Sequence, residues 1–359
     1  MFDIKNIVRK NILSLQPYSS ARDEFSGKKG IFLDANENPF GQLNRYPDPG
    51  QKKLKQKISE VKSVERENIF VGNGSDEIID LCFKIFCNPG KDNVIICPPT
   101  YGMYEITAAI NDAEIRKAPL NSDFRLDRNK IFENYIPAEK KTPEEGATKM
   151  LIICSPNNPT GNYIDNIELI LQKFNGIVIV DEAYIDFSNK PSLIDKINTY
   201  PNLVVMQTLS KAWGLAAARV GMAFTNNEII SLLNKVKPPY NVSELNQKAA
   251  INALENYDEF EKRKKTILQQ RAFLENELRH IPVVKKVYPS DANFLLVEVN
   301  DAESVYKELV KQKIITRNRD NHVKNCIRIT VGAPEENKKL VKALKKLTVR
   351  ITNKKMERG

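Results

Sequence analysis

The sequence predicts an α/β protein with two domains: a large one built on a mostly parallel sheet and a smaller one after it. Three observations carry this. The chain has 359 residues, 41% of them hydrophobic, which is ample for a sizeable core and suits two domains better than one. From about residue 68, short continuous apolar runs alternate with helical stretches. Near Tyr257 that rhythm gives way to a long charged helix followed by a second strand–helix order.

The apolar runs are Val94–Cys97, Met150–Cys154, Ile177–Val180 and Leu203–Met206. Runs without alternation suit strands of a parallel sheet covered on both faces. Between them, Ser75–Phe86 reads as a helix with Asp76 and Glu77 in its first turn, where carboxylates favour the helix dipole. A long helix over Asp258–His280 carries Ile267, Leu268, Phe273, Leu274 and Leu278 at near-helical spacing. Strand candidates Asn293–Val299 and Cys326–Val331 flank a helix at Ala302–Lys311, and a last helix follows Pro334, which suits a first helical turn. Ile4–Leu15 is too short to stand alone and is expected to pack on the small domain. The division is therefore an N-terminal segment (1–45), a large domain (46–257) and a small domain (258–359).

Composition excludes several classes. No run approaches the ~18 apolar residues of a membrane span. Residues Met1–Arg22 intersperse Asp3, Lys5, Arg9 and Lys10 among apolar residues and lack the apolar core of a signal peptide. The five cysteines form no C-x-x-C pair, and Cys82, Cys97 and Cys154 sit inside apolar runs as reduced core residues do, so a cytoplasmic home is expected. The net charge of +10 is spread among Glu and Asp as on a solvated surface, which argues against nucleic acid and suits anionic small molecules. Two histidines, His280 and His322, leave little for a multi-histidine metal site or a Ser-His-Asp mechanism.

Four segments, each just after a strand candidate, stand out, because ligands of open parallel sheets bind at the carboxyl ends of strands. Gly72-Asn-Gly-Ser-Asp-Glu77 is a glycine-rich turn entering a helix, where unpaired amides suit a phosphate; a plain turn would look the same. Ser155-Pro-Asn-Asn-Pro-Thr-Gly161 fixes a rigid turn that could aim Asn158, or could be a tight loop only. Asp181-Glu-Ala-Tyr184 places a carboxylate at the end of a buried strand, which is costly without a cation or donors, although a helix-capping Asp is the ordinary alternative. Thr208-Leu-Ser-Lys-Ala-Trp213 puts Lys211 beside Ser210 past a buried strand, where most lysines of this chain are surface residues.

In order, S-P-N-N-P-T-G, D-E-A-Y, T-L-S-K and A-A-R-V-G resemble the aspartate-aminotransferase fold family of pyridoxal-phosphate (PLP) enzymes, over most of the chain. Further segments, Asp34-Ala-Asn-Glu-Asn-Pro39, Arg45-Tyr-Pro-Asp48, Cys97-Pro-Pro-Thr-Tyr-Gly-Met-Tyr104 and Cys326-Ile-Arg-Ile-Thr-Val-Gly332, are similar to the branch whose amino donor is L-histidinol phosphate. The resemblance implies a PLP-dependent transferase fold. It implies that Lys211 holds PLP as a Schiff base, that Asp181 pairs with the ring nitrogen, and that Asn158 and Tyr184 bond the phenolic oxygen. Tyr101 would stack on the ring, while Gly74–Asp76 amides, Ser75, Ser210 and Arg219 would hold the phosphate. Tyr46 would reach the neighbouring subunit's phosphate in a homodimer with shared sites. Arg328 and Arg317, with Tyr18 and Asn36, would receive the substrate's anionic group.

The implied reaction is transamination between L-histidinol phosphate and 2-oxoglutarate, giving imidazole acetol phosphate and glutamate. An aromatic or general amino-acid aminotransferase and a threonine-phosphate decarboxylase share the fold and stay open as alternatives. Two departures from the family pattern stand at Ser75, often alanine, and at Ala216-Ala-Ala218, where a glycine-containing run is usual.

Overall fold

The computed structural model describes residues 2–17, 30–142 and 146–356, with side chains described to residue 347. Seven strands form the large sheet: β1 (Ile69–Asn73), β2 (Asn93–Ile96), β3 (Glu114–Lys117), β4 (Thr148–Cys154), β5 (Ile177–Asp181), β6 (Leu203–Thr208) and β7 (Val220–Phe224), in the order β1-β7-β6-β5-β4-β2-β3. Neighbours from β6 through β3 pair parallel, and β7 alone runs antiparallel, wedged between β1 and β6. All four expected runs are strands, and the sheet is buried on both faces as their continuous apolarity requires. Alternate residues of one strand enter opposite cores: Leu151 and Ile153 pack in one, Met150, Ile152 and Cys154 in the other. All five cysteines are free and buried.

The small sheet contains β8 (Val284–Val287), β9 (Phe294–Val299), β10 (Arg317–Asn318) and β11 (Cys326–Thr330), ordered β10-β11-β9-β8 and antiparallel throughout. Helices Tyr257–Arg279, Ala302–Lys311 and Pro334–Met356 flank it, and Asp301 caps the middle one by accepting from the Ser304 amide. Only one face of this sheet joins their apolar core: Val297, Ile327 and Ile329 do, whereas Leu296, Cys326 and Arg328 face the other way. The stretch Ile314–Thr316 is not a strand. The ladder begins at Arg317, because Ile315 is exposed and makes no cross-strand bond.

The N-terminal segment corrects an expectation. Ile4, Ile7, Val8 and Ile12 join the large domain's core, the cluster that also holds Phe70, Leu81, Ile85 and Phe86, and not the small domain's. The Arg9 amide donates to the Ile85 carbonyl, and Lys149 and Lys235 reach backbone carbonyls of the segment. Burying four such side chains is worth about 1.5–3 kcal/mol each, which holds a five-residue helix that could not form alone. No helix among the described residues is long and apolar enough to cross a membrane.

Candidate active site

The carboxyl ends of β4, β5 and β6 lie in register, with Cys154 opposite Asp181 and Asp181 opposite Met206. The loops that leave them converge on one cavity lined by Ser75, Asp76, Tyr101, Asn158, Asp181, Tyr184, Ser210, Lys211 and Arg219. The structure thus brings together nine residues expected from scattered motifs.

One wall is the glycine turn. Gly74 has φ +81°, and a Cβ there would lie 2.6 Å from Arg219 Nη2. On β7, a Cβ at Gly221 would come within 2.4 Å of the Gly74 carbonyl carbon and the Ser75 nitrogen, so only glycine lets β7 run under the turn. The helix Ser75–Phe86 starts with no side-chain cap, leaving first-turn amides for an anion. The Ser210 hydroxyl is bonded to Thr208 Oγ1 at 3.0 Å, and Arg219 Nη2 lies 3.2 Å from Asp76 Oδ2. Ala216–Ala218 forms a 3-10 turn without glycine, and Arg219 itself takes the left-handed conformation that ends it.

At the floor, Asp181 is 3% exposed. Its Oδ2 accepts from Tyr104 Oη at 2.8 Å and its Oδ1 from the Ala183 amide at 3.0 Å. No helix follows for it to cap; the next turn is a short 3-10 segment capped at Tyr184. No cation among the described residues forms an ion pair with it, and burial pushes its acidity down so that the carboxyl titrates above its usual range. Glu182, next in sequence, points away and accepts from the Leu193 amide, Ser192 Oγ and Gln207 Nε2.

The lysine and its neighbours occupy the mouth. Lys211 Nζ sits 5.6 Å from the Tyr184 ring centroid, reachable from solvent, and makes no hydrogen bond among the described residues. Surrounding protein, and next the Arg328 charge, lower its basicity, opposed by Asp181 and Asp76. Asn158 donates to Tyr184 Oη at 3.5 Å and accepts from Arg328 Nη1, which ties the small domain to the large one. Asn157 is structural, bonding the Pro99 carbonyl and Thr100 Oγ1. Burial raises the Tyr184 hydroxyl well above its usual value, while Arg328 works against that. Tyr101 stands edge-on to Tyr104, with ring centres 5.5 Å apart, and burial pushes its hydroxyl up to about 12.

Arg328 pairs across the ladder with Arg317, so both side chains share one sheet face. Asn36 and Tyr46 are elsewhere, around a separate depression that Tyr240 also lines; the Tyr46 ring stacks on Tyr240 at 4.3 Å. Tyr18 lies outside the described residues. Two residues escaped the reading of the sequence. Tyr104 lay in a quoted motif without a role, and Arg319 stands two positions past Arg317, where strand alternation offered the only signal.

This donor set fits the cofactor that the resemblance implies. A buried carboxylate lacking a cation, an Asn–Tyr pair, an amine, and hydroxyls and a guanidinium at an uncapped helix start suit its ring nitrogen, phenolic oxygen, aldehyde and phosphate respectively. The family described as aminotransferase class I and II matches residues 27–344, and the chain belongs to it. A histidinol-phosphate aminotransferase of Cytophaga hutchinsonii is 50% identical over 353 residues, covering 96% of this chain and 99% of that protein. The crystal structure of the Clostridium acetobutylicum histidinol-phosphate aminotransferase matches with a TM-score of 0.76 at 26% identity, over 86% of this chain and 92% of that one. The Sinorhizobium meliloti histidinol-phosphate aminotransferase, solved in complex with pyridoxal-5'-phosphate, shares the fold with a TM-score of 0.76 at 22% identity, over 88% and 90% of the two chains.

Proposed function

We propose that this chain moves an amino group between L-histidinol phosphate and 2-oxoglutarate, using PLP, as a step of histidine biosynthesis in the cytoplasm. The observation that carries the reading is a near-complete alignment at 50% identity with a histidinol-phosphate aminotransferase. The bond from Arg328 to the cavity residue Asn158, with Arg317 opposite Arg328 on the ladder, supports it.

When bound, PLP would supply the carbonyl that takes up the amine and the electron-withdrawing ring that makes the adjacent C–H bond acidic. Ser75, Ser210, Arg219 and the Gly74–Asp76 amides would hold its phosphate, and Asp181 its ring nitrogen. Asn158 and Tyr184 would bond its phenolic oxygen, and Tyr101 would cover one ring face. Lys211, whose basicity burial and the Arg328 charge lower, would take the proton from the amine-bearing carbon of the substrate and return it in the second half-reaction. Arg328 would bind the anionic group of either substrate, and Arg317 would favour the phosphate ester. Tyr18 would complete that pocket, whereas Asn36, around the depression shared with Tyr46 and Tyr240, would reach it only from a second copy.

The site would be shared in a homodimer. Residues 30–46 expose Ile31, Leu33, Phe40 and Leu43, a run of apolar side chains that a second copy would cover. Tyr46 lies on this arm, clear of its own chain's cavity, and would serve the partner's. The partners are small molecules and a second copy, with no nucleic acid or membrane.

The test is a steady-state comparison of amino donors with 2-oxoglutarate as acceptor. L-Histidinol phosphate should exceed phenylalanine in kcat/KM by at least tenfold. A preference for phenylalanine or for dephosphorylated histidinol would overturn the assignment, and carbon dioxide release from threonine phosphate would reveal a decarboxylase.

A further inference from the structure

Arg319 continues the ladder of β10: its amide donates to the Cys326 carbonyl, one step beyond the Asn318–Ile327 pair. Side chains two apart on a strand point to the same face, and directly opposed residues do so too. Arg317, Arg319 and Arg328 therefore share one face. It is the face turned from the small domain's apolar core, and Arg328 shows its direction by reaching Asn158 in the large domain.

Among the described residues, no carboxylate pairs with any of the three. Asp320 is committed to Lys324 and to the Asn325 amide. The Nε atoms of Arg319 and Arg328 are both buried without a hydrogen-bond partner among the described residues. The backbone of Arg319 anchors the turn to His322 and Val323, but its side chain makes no hydrogen bond among the described residues. Burial, and then the Arg328 and Arg317 charges, pull its guanidinium down to about 10, opposed by Tyr184. Three like charges gathered on one half-buried face repel, and an anion is what would offset them.

We propose that Arg319 is a specificity-determining residue: with Arg317 and Arg328 it forms a three-guanidinium receptor that favours a doubly charged phosphate ester over a singly charged α-carboxylate. This rests on the proposed use of both anions in one pocket. A carboxylate offers two oxygens and is satisfied by one planar fork. A phosphate ester carries three free oxygens and close to two charges at neutral pH, so the third guanidinium adds to its binding and little to the carboxylate's.

The experiment uses PLP-loaded wild-type protein, Arg319→Gln and Arg319→Lys at fixed ionic strength. Each variant is first checked for unchanged cofactor content and Tm. Two quantities are read: kcat/KM for L-histidinol phosphate and for L-glutamate, and inhibition constants of inorganic phosphate and of acetate against glutamate. Bound PLP occupies its own phosphate site, so added phosphate reports on the substrate pocket. In Arg319→Gln, histidinol phosphate should lose roughly ten- to a hundredfold and glutamate less than about threefold, since a charge-assisted bond is worth one to two powers of ten. Inorganic phosphate should weaken in step with histidinol phosphate, acetate should not, and Arg319→Lys should recover part of the loss. Equal losses for both substrates, or no loss for histidinol phosphate and inorganic phosphate, would overturn the proposal. A wild-type protein that rejects histidinol phosphate would refute the proposed function alone. The phosphate-to-acetate ratio of wild type against Arg319→Gln would still decide the role of Arg319.

Discussion

Asp181→Asn keeps the shape of a buried side chain and removes its charge. In the native chain Asp181 is 3% exposed and accepts from Tyr104 Oη at 2.8 Å and the Ala183 amide at 3.0 Å. An amide can still accept from one of these donors, but its NH2 group then confronts the other. Losing that bond costs about 1–3 kcal/mol, partly offset because a buried charge disappears. Stability without cofactor should therefore change by no more than about 2 kcal/mol. Catalysis should suffer far more. Deleting one partner of a buried ion pair costs about 3–5 kcal/mol, and each ~1.4 kcal/mol is tenfold, so kcat should fall by roughly 10²- to 10³-fold. The phosphate contacts are untouched, so cofactor content should stay near that of wild type. The adjacent Glu182 is the control: it is just as buried but faces Ser192, Leu193 and Gln207, and Glu182→Gln should keep kcat within about threefold. The assay is single-turnover amine transfer followed by absorbance on variants of measured cofactor content and Tm. A fully loaded Asp181→Asn enzyme within threefold of wild type would refute the assigned role.

Borohydride reduction of the loaded enzyme followed by peptide mapping should label Lys211, and a label on any other lysine would end that assignment. Arg317→Ala should weaken histidinol phosphate handling by roughly ten- to a hundredfold, one or two charge-assisted bonds, and spare the glutamate half-reaction, whereas Arg328→Ala should impair both. Mixing Lys211→Ala chains with Tyr46→Phe chains should restore part of the activity, since one site of each mixed dimer then carries neither lesion; verified heterodimers without recovery would argue against a shared site. Glu182 should also make stability depend on pH. Burial raises its carboxyl from near 4.5 to about 7, so between those values the folded chain keeps a proton the unfolded chain has lost. Stability should fall as pH rises through that window, by up to about 3 kcal/mol, and be unaffected by this group below it. Urea unfolding at pH 4.5 and pH 8 should show wild type losing that much relative to Glu182→Gln; a parallel shift of both would contradict the burial argument.

What the sequence by itself determined is local. Unbroken apolar runs can be stable only between two covered faces, so β2, β4, β5 and β6 were legible, as were helices announced by Pro334 or by acidic first turns. The loops after those strands were legible too, because a parallel sheet must present them at one edge; hence Asn158, Asp181, Ser210 and Lys211 could be grouped before any contact was known. Only the tertiary structure decided the rest. The N-terminal segment has an apolar stripe that would suit either domain, and the fold seats it in the large domain's core, where Ile85, Lys149 and Lys235 bond its backbone. β7 turns antiparallel between β1 and β6, a choice of pairing that no apolar pattern specifies. The Tyr104–Asp181 bond joins residues 77 positions apart and the Arg328–Asn158 bond residues 170 apart. The face shared by Arg317, Arg319 and Arg328 depends on a strand register that begins at Arg317 opposite Arg328. Period and composition act between neighbours in the chain, whereas hydrogen-bond partners and register follow from which surfaces the whole fold brings into contact.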